Sequence, residues 1–133
     1  MPMDSQNKYQ TGKNKSFCQS LQHALQGLQA VFLGERNFRF HLVATVVVLI
    51  LAELLHVGLE HLLWLVLACF LVLLAEVFNS TVEALVDLIV AKHYHPLAKR
   101  VKDMSAGFVL LAAVLALIVG LIVLGPPLSH FWF

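Results

Sequence analysis

From Met104 to Phe133 the sequence has no Asp, Glu, Lys or Arg, and the same holds for Leu42–Ala52 and Leu62–Ala75. Such stretches cannot form the water-facing surface of a soluble domain. A chain of 133 residues that is 59% hydrophobic would expose too much apolar surface, so the composition points to an integral membrane protein. Charged residues make up only 13% and gather at the ends of the apolar runs. Cysteine is scarce as well. Cys18 precedes the first run and Cys69 lies inside the second, which argues against a disulfide framework and gives no metal-ligand spacing. A net charge of +1 offers no broad field for a polyanion, and no nucleic acid is expected as a partner. Residues 1–16 lack the apolar core and small-residue cleavage site of a signal peptide. No GxxxxGK[ST], glycine-rich kinase loop, HRD or DFG occurs, which excludes the common soluble nucleotide-binding designs.

What is present reads as an all-α membrane protein with three spans. Residues 1–15 are polar and expected to be a disordered tail. Phe17, Leu21, Ala24, Leu25, Leu28 and Val31 recur at helical spacing among glutamines, which predicts an amphipathic surface helix over 16–33. Ser16 is its expected N-cap and Gly34 its stop. The spans are expected at about 38–55, 62–91 and 104–124. A tight turn over 57–61 joins the first two. A polar connection over 92–103, broken at Pro96, joins the second to the third, and Gly125-Pro126-Pro127 is expected to close the last span. A single membrane domain would thus cover 16–127, leaving a short tail over 128–133.

Basic residues set the topology. All nine Lys and Arg lie in the N-terminal segment, at the entrance of the first span, or in the 92–103 connection. The first connection and the C-terminal tail have none. The positive-inside rule then places the N-terminus and the 92–103 connection in the cytoplasm and the C-terminus outside.

The unusual chemistry is concentrated in Glu76-Val77-Phe78-Asn79-Ser80-Thr81-Val82-Glu83-Ala84-Leu85-Val86-Asp87, which continues the second apolar run without Gly or Pro. At about 100° per residue, Glu76, Asn79, Glu83 and Asp87 fall within about 80° of one another on a helix. Three carboxyl groups on one stripe repel each other, and burying them costs desolvation energy. A helix that merely spans lipid has no use for them, so a cation should sit opposite: a metal, Lys or Arg. Glu35, in Glu35-Arg36-Asn37-Phe38-Arg39, could pair with Arg39 one turn on. Alternatively it could face the carboxylate stripe across a shared cation. Acids at this depth can hold Mg²⁺ together with phosphate oxygens, Lys can neutralise phosphates, and a carboxylate at headgroup depth can act as base on a lipid hydroxyl.

The twelve-residue block resembles the signature of the small prokaryotic integral-membrane lipid kinases, diacylglycerol kinase and undecaprenol kinase. Thr81 stands where Ala or Ser is more usual. Glu35-Arg36-Asn37-Phe38-Arg39 and His95-Pro96-Leu97-Ala98-Lys99, followed by Lys102-Asp103, extend the resemblance over Ser16–Leu124. It implies a homotrimer in the bacterial inner (cell) membrane, with composite cytoplasmic active sites between protomers, using ATP and Mg²⁺. By the same resemblance Glu76 is the catalytic base and Asn79 supports the site. Glu35 and Glu83 hold the metal on ATP, while His93, Tyr94, His95, Lys102 and Asp103 contact the nucleotide. Lipid contacts fall on Glu76, Arg39 and Ala106. Lys13 or Lys15 could replace a nucleotide-binding Arg of the Gram-negative enzyme's surface helix.

The implied function is phosphorylation of a membrane lipid alcohol. Undecaprenol is favoured because the Glu35 and His95 blocks look more like the Gram-positive relatives; diacylglycerol is the alternative. Two readings of another class remain. An oligomeric cation channel or transporter would place acids along a pore at all depths, whereas here the outer halves of the spans are almost purely apolar. A scaffold subunit would have no need of Glu35, Glu76 and Glu83 together. For Glu76 and Glu83 the bland reading is an ion-pair network with Lys102 or Arg39. For Asp87 it is a structural partner, and for His41, His93 and His95 an interfacial position. Ala106, Gly107 and Gly120 also read as allowing close helix packing.

Overall fold

A computed structural model describes residues 16–132. The expected disordered tail, with Lys13 and Lys15, lies outside the described residues. The described chain forms four helices: α1, Phe17–Gly34; α2, Arg36–Leu54; α3, Leu59–Val90; and α4, Pro96–Trp132. The last three are long and apolar enough to cross a membrane. At 1.5 Å per residue, α2 is about 28 Å long, close to the hydrocarbon thickness of roughly 30 Å, whereas α3 is about 48 Å and α4 about 56 Å. α3 and α4 therefore project well past the hydrocarbon and carry their polar residues beyond it.

Local signals explain the helix starts. The Ser16 side chain accepts from the Gln19 N–H at 3.2 Å, a standard N-cap. α1 meets α2 at a single extended residue, Glu35. Arg39 secures this corner: its Nη1 donates to the carbonyls of Phe32 and Leu33, 2.8 Å each, at the C-terminus of α1. Those carbonyls have no partner within the helix and lie at its negative end, so a guanidinium suits them twice over. α3 begins at Leu59, three residues before the expected 62, with Glu60 in its positive first turn.

α4 departs further from the sequence reading. It starts at Pro96 rather than near 104, because proline fits the first helical position and the Nδ1 of His95 accepts from the Leu97 N–H at 3.1 Å. It also runs through Pro126 and Pro127 to Trp132, where Gly125-Pro126-Pro127 was expected to stop it. Each proline removes one backbone donor. Packing compensates, since Leu128 lies against the cluster of Ala52, Leu65, Val123 and Leu124. The Ser129 hydroxyl also donates to the Pro126 carbonyl at 2.7 Å. Tertiary contact overrides the local breaker.

The core is thin and lies between helices. Besides the cluster just named, Val72 and Ala75 of α3 meet Ala112 of α4, flanked by Leu71, Val109 and Ala116. Alanines at this seam let the two backbones approach closely, and α3–α4 is the most extensive helix pair. Large apolar side chains such as Leu67, Phe70, Leu111 and Ile122 point outward, as lipid-facing residues do.

Candidate active site

The polar stripe of α3 is real, and each of its members meets a different partner. Glu76 is buried, only 3% exposed. The group opposite it is neither Lys nor Arg: Oε1 lies 3.3 Å from Nε2 of His41 on α2. Glu35 and Glu83 are close enough for their charges to act on it. The expected Glu76 or Glu83 pairing with Lys102 or Arg39 does not form among the described residues. His41 carries no motif of its own and was read as interfacial. The available clue was a titratable ring placed at the start of an otherwise apolar run.

One turn on, Asn79 and Glu83 are locked together from α4. The buried Ser105 hydroxyl reaches Asn79 Oδ1 at 2.6 Å, and Asn79 Nδ2 donates to Glu83 Oε1 at 3.0 Å. The order of donors is chemically determined. A hydroxyl donating to the amide oxygen turns the NH₂ toward Glu83, where only an acceptor is useful. Ser105 also lies 2.9 Å from the Lys102 carbonyl, the usual position for a serine hydroxyl in a helix. Ser105 was missed by the sequence reading because serine within a helix is common and 26 residues separate it from Asn79.

Asp87 ends the stripe as a structural partner: its Oδ1 accepts from Lys102 Nζ at 2.5 Å, across the α3–α4 seam. Lys102 and Asp103 thus do not form a pair, since Asp103 binds Lys99 one turn away on the exposed face. Together with Lys92, His93, Tyr94 and His95 these residues line a cleft of about 470 Å³ at the α3–α4 connection. All five residues of this segment assigned to the nucleotide, His93, Tyr94, His95, Lys102 and Asp103, therefore share one hollow. Ala91 and Lys92 hold positive φ of 50° and 60°, a left-handed turn that costs about 1–2 kcal/mol at each non-glycine residue. That turn swings the histidines back over the helix ends, with the His93 N–H on the Val90 carbonyl at 2.9 Å.

Glu35 and Arg39 do not pair. Arg39 is committed to the end of α1, which leaves Glu35 half-buried and outside any ion pair among the described residues. Glu83 is likewise in no ion pair. Among the described residues no three His, Cys, Asp or Glu converge as a ready cage. These two carboxylates, outside any ion pair among the described residues, are nonetheless hard oxygen donors of the kind Mg²⁺ takes, one or two at a time, alongside phosphate oxygens. The residues fit a magnesium ion delivered with a nucleotide better than one held by protein alone. Ala106 is exposed beside Ser105 on α4.

Below Glu76 lies a second hollow, an apolar cavity of about 390 Å³ between α2, α3 and α4. His41, Thr45 and Cys69 line it with Leu65, Val72 and Leu121, and it continues along α4 to Leu128. His41 is therefore both a wall of this cavity and the neighbour of the buried carboxylate. Cys18 and Cys69 are free thiols.

Comparison with known proteins bears on the family. The family model for prokaryotic diacylglycerol kinase matches residues 22–124. A Synechocystis protein named diacylglycerol kinase is 44% identical over 109 residues, covering 82% of this chain and 62% of its own. The undecaprenol kinase of Bacillus subtilis is 38% identical over 114 residues, 84% of this chain and 90% of its own. The diacylglycerol kinase of Escherichia coli is 36% identical over 109 residues, 82% of this chain and 86% of its own. The chain thus spans less than two thirds of the Synechocystis relative and most of the other two.

Proposed function

This chain belongs to the prokaryotic diacylglycerol kinase family, and we propose that it is a lipid kinase that transfers the γ-phosphoryl group of ATP to the hydroxyl of undecaprenol in the cell membrane. The observation that carries this reading is the position of Glu76: a buried carboxylate 3.3 Å from His41, which lines an apolar cavity, with a polar cleft further along the same helix. A lipid alcohol lying in the cavity would bring its hydroxyl to the Glu76 carboxylate. The cleft at the α3–α4 connection would hold the nucleotide through Lys102, Asp103, His93, Tyr94 and His95. Glu83 and Glu35 would hold Mg²⁺ on its phosphates, and the ion would supply charge neutralisation on the phosphoryl oxygens.

In this mechanism Glu76 accepts the hydroxyl proton as the lipid oxygen forms its bond to the γ-phosphorus and the bond to ADP breaks. Ser105 and Asn79 fix Glu83, Lys102 faces the phosphates, and Arg39 holds the α1–α2 corner that positions Glu35 and a lipid headgroup. Ala106 borders the lipid path. Phosphoryl transfer requires mainly positioning and charge neutralisation, and these residues supply both. We further propose a homotrimer with composite active sites between protomers, with the N-terminus and active sites cytoplasmic. The distribution of Lys and Arg supports that orientation.

Diacylglycerol is the second reading for the lipid, favoured by the name of the 44% identical Synechocystis relative. Undecaprenol has the support of the Glu35 and His95 blocks and of the Bacillus subtilis relative. Radiolabelled ATP with purified protein, Mg²⁺, and undecaprenol, diacylglycerol or ceramide separates them. Label in undecaprenol above the other two is the expected result. Label in diacylglycerol alone would reassign the substrate. No label in any lipid would end the kinase reading.

A further inference from the structure

We propose that His41 is a positioning residue for Glu76: its ring holds one carboxylate oxygen so that the other is presented to the substrate hydroxyl. The inference rests on the reading of Glu76 as the base and goes beyond it, because neither the twelve-residue block nor the loop blocks assign anything to His41.

The geometry is specific. Nε2 of His41 lies 3.3 Å from Oε1 of Glu76, and the two residues come from different helices. Glu76 is almost fully enclosed, and a buried charge is costly without a partner. The other charges acting on it, those of Glu35 and Glu83, are of like sign and can only push it away. His41 is the nearby group that can attract it. The ring is itself held in place: it packs edge-on to Phe40 with centroids 5.4 Å apart, and its helix turn is tightened by the Thr45 hydroxyl on the His41 carbonyl at 2.8 Å. The same ring forms part of the wall of the apolar cavity. One imidazole thus touches both the cavity proposed for the substrate chain and the proposed base.

The reaction then runs with Oε1 engaged by His41 and Oε2 facing the lipid. The O–H bond of the alcohol breaks and its proton passes to Oε2. The alcohol oxygen bonds to the γ-phosphorus of ATP, and the departing ADP oxygen keeps the electron pair of the broken P–O bond. His41 exchanges no proton in this step; it fixes which oxygen is available. Its loss should therefore lower kcat while leaving the KM for ATP unchanged, because the nucleotide cleft is built from other residues. A misplaced base can cost on the order of 10–100-fold in rate.

The test compares His41→Leu, His41→Gln and His41→Asn with Glu76→Gln in the radiolabel assay, on membrane-inserted protein of verified helix content. Gln places an N–H where Nε2 stood; Asn is too short to do so. The expected result is a fall in kcat of about tenfold or more for Leu and Asn, with the KM for ATP unchanged, and a Gln variant within about threefold of the parent. If Leu does not accumulate in membranes, the Gln–Asn contrast alone decides. Equal kcat in all three His41 variants, whether high or low, overturns the positioning role provided Glu76→Gln is inactive. An active Glu76→Gln instead removes the underlying reading of the base.

Discussion

Two hollows of similar size flank α3, and they have opposite linings. The one beneath Glu76 is about 390 Å³ and is walled by Leu, Val, Ala and Gly, with His41 as the basic group on its lining. The one at the α3–α4 connection is about 470 Å³ and is lined by Asp87, Lys92, His93, Tyr94, His95, Lys99, Lys102 and Asp103. Volume does not distinguish them; chemistry does. One is lined to suit an apolar chain, and the other to suit a charged group. From Glu76 to Asp87 is about 16 Å along a helix axis, and Asn79 and Glu83 occupy the interval. A single rigid helix can therefore hold an apolar substrate and a polar one at a fixed separation, with a carboxylate between them. That is what a phosphoryl transfer between phases requires.

The comparison breaks most sharply at its apolar end. Glu76→Gln keeps the shape and removes the proposed base, so lipid phosphorylation should fall by about 10²–10⁴-fold, the range general-base catalysis contributes. The radiolabel assay reads this directly. A loss of less than tenfold would mean that the buried carboxylate serves the fold and that the two hollows are unrelated.

The middle of the stripe should respond next. Glu83→Gln removes a charge that Asn79 and Ser105 hold in place, and the Mg²⁺ concentration for half-maximal rate should rise about 10–100-fold, more than the lipid KM does. Ser105→Ala should move the same quantity in the same direction by a smaller factor, since it frees the Asn79 amide to turn. A larger change in the lipid KM than in the Mg²⁺ requirement would mean that metal and lipid roles are exchanged between Glu83 and Glu76.

These sites differ in how far they could be read from sequence. Three long apolar runs and the charge distribution gave the all-helical fold, because lipid leaves a chain few choices. The stripe was visible because its members share one helix and one period. What lay hidden was every partner supplied by another helix. His41 is 35 residues from Glu76, Ser105 is 26 from Asn79, and Lys102 is 15 from Asp87. In sequence Lys102 sits beside Asp103, an adjacency that the helix turns to different faces. Arg39 looked like a mate for Glu35 until the corner at residue 35 placed its guanidinium on the last carbonyls of α1. The end of α4 was misread for a related reason. Pro126 and Pro127 are local breakers, and the packing of Leu128 that outweighs them is not local.

The polar cleft contains its own small comparison, and it should give the smallest effects. Lys102 and Lys99 both contact an aspartate at 2.5 Å. Lys102 bridges two helices and is half-buried, with 34% of its side chain exposed, whereas Lys99 pairs within one helix turn at 63% exposure. Losing Lys102 should therefore raise the KM for ATP about tenfold, as the loss of one charge-assisted contact to a phosphate would. It should also loosen the α3–α4 seam, and Asp87→Asn should reproduce the seam effect without adding to it in the double variant. Lys99→Ala should leave the KM for ATP and the thermal midpoint within experimental error. A flexible ammonium already surrounded by water gains little from its partner and loses little without it. Titrating ATP against Lys99→Ala and Lys102→Ala side by side reads the difference. If Lys99→Ala raises KM as much as Lys102→Ala does, the nucleotide is held at the exposed mouth of the cleft and not at the α3–α4 seam. Asp87, about 16 Å along α3 from Glu76, would then no longer mark how far the nucleotide's anchor lies from the proposed base.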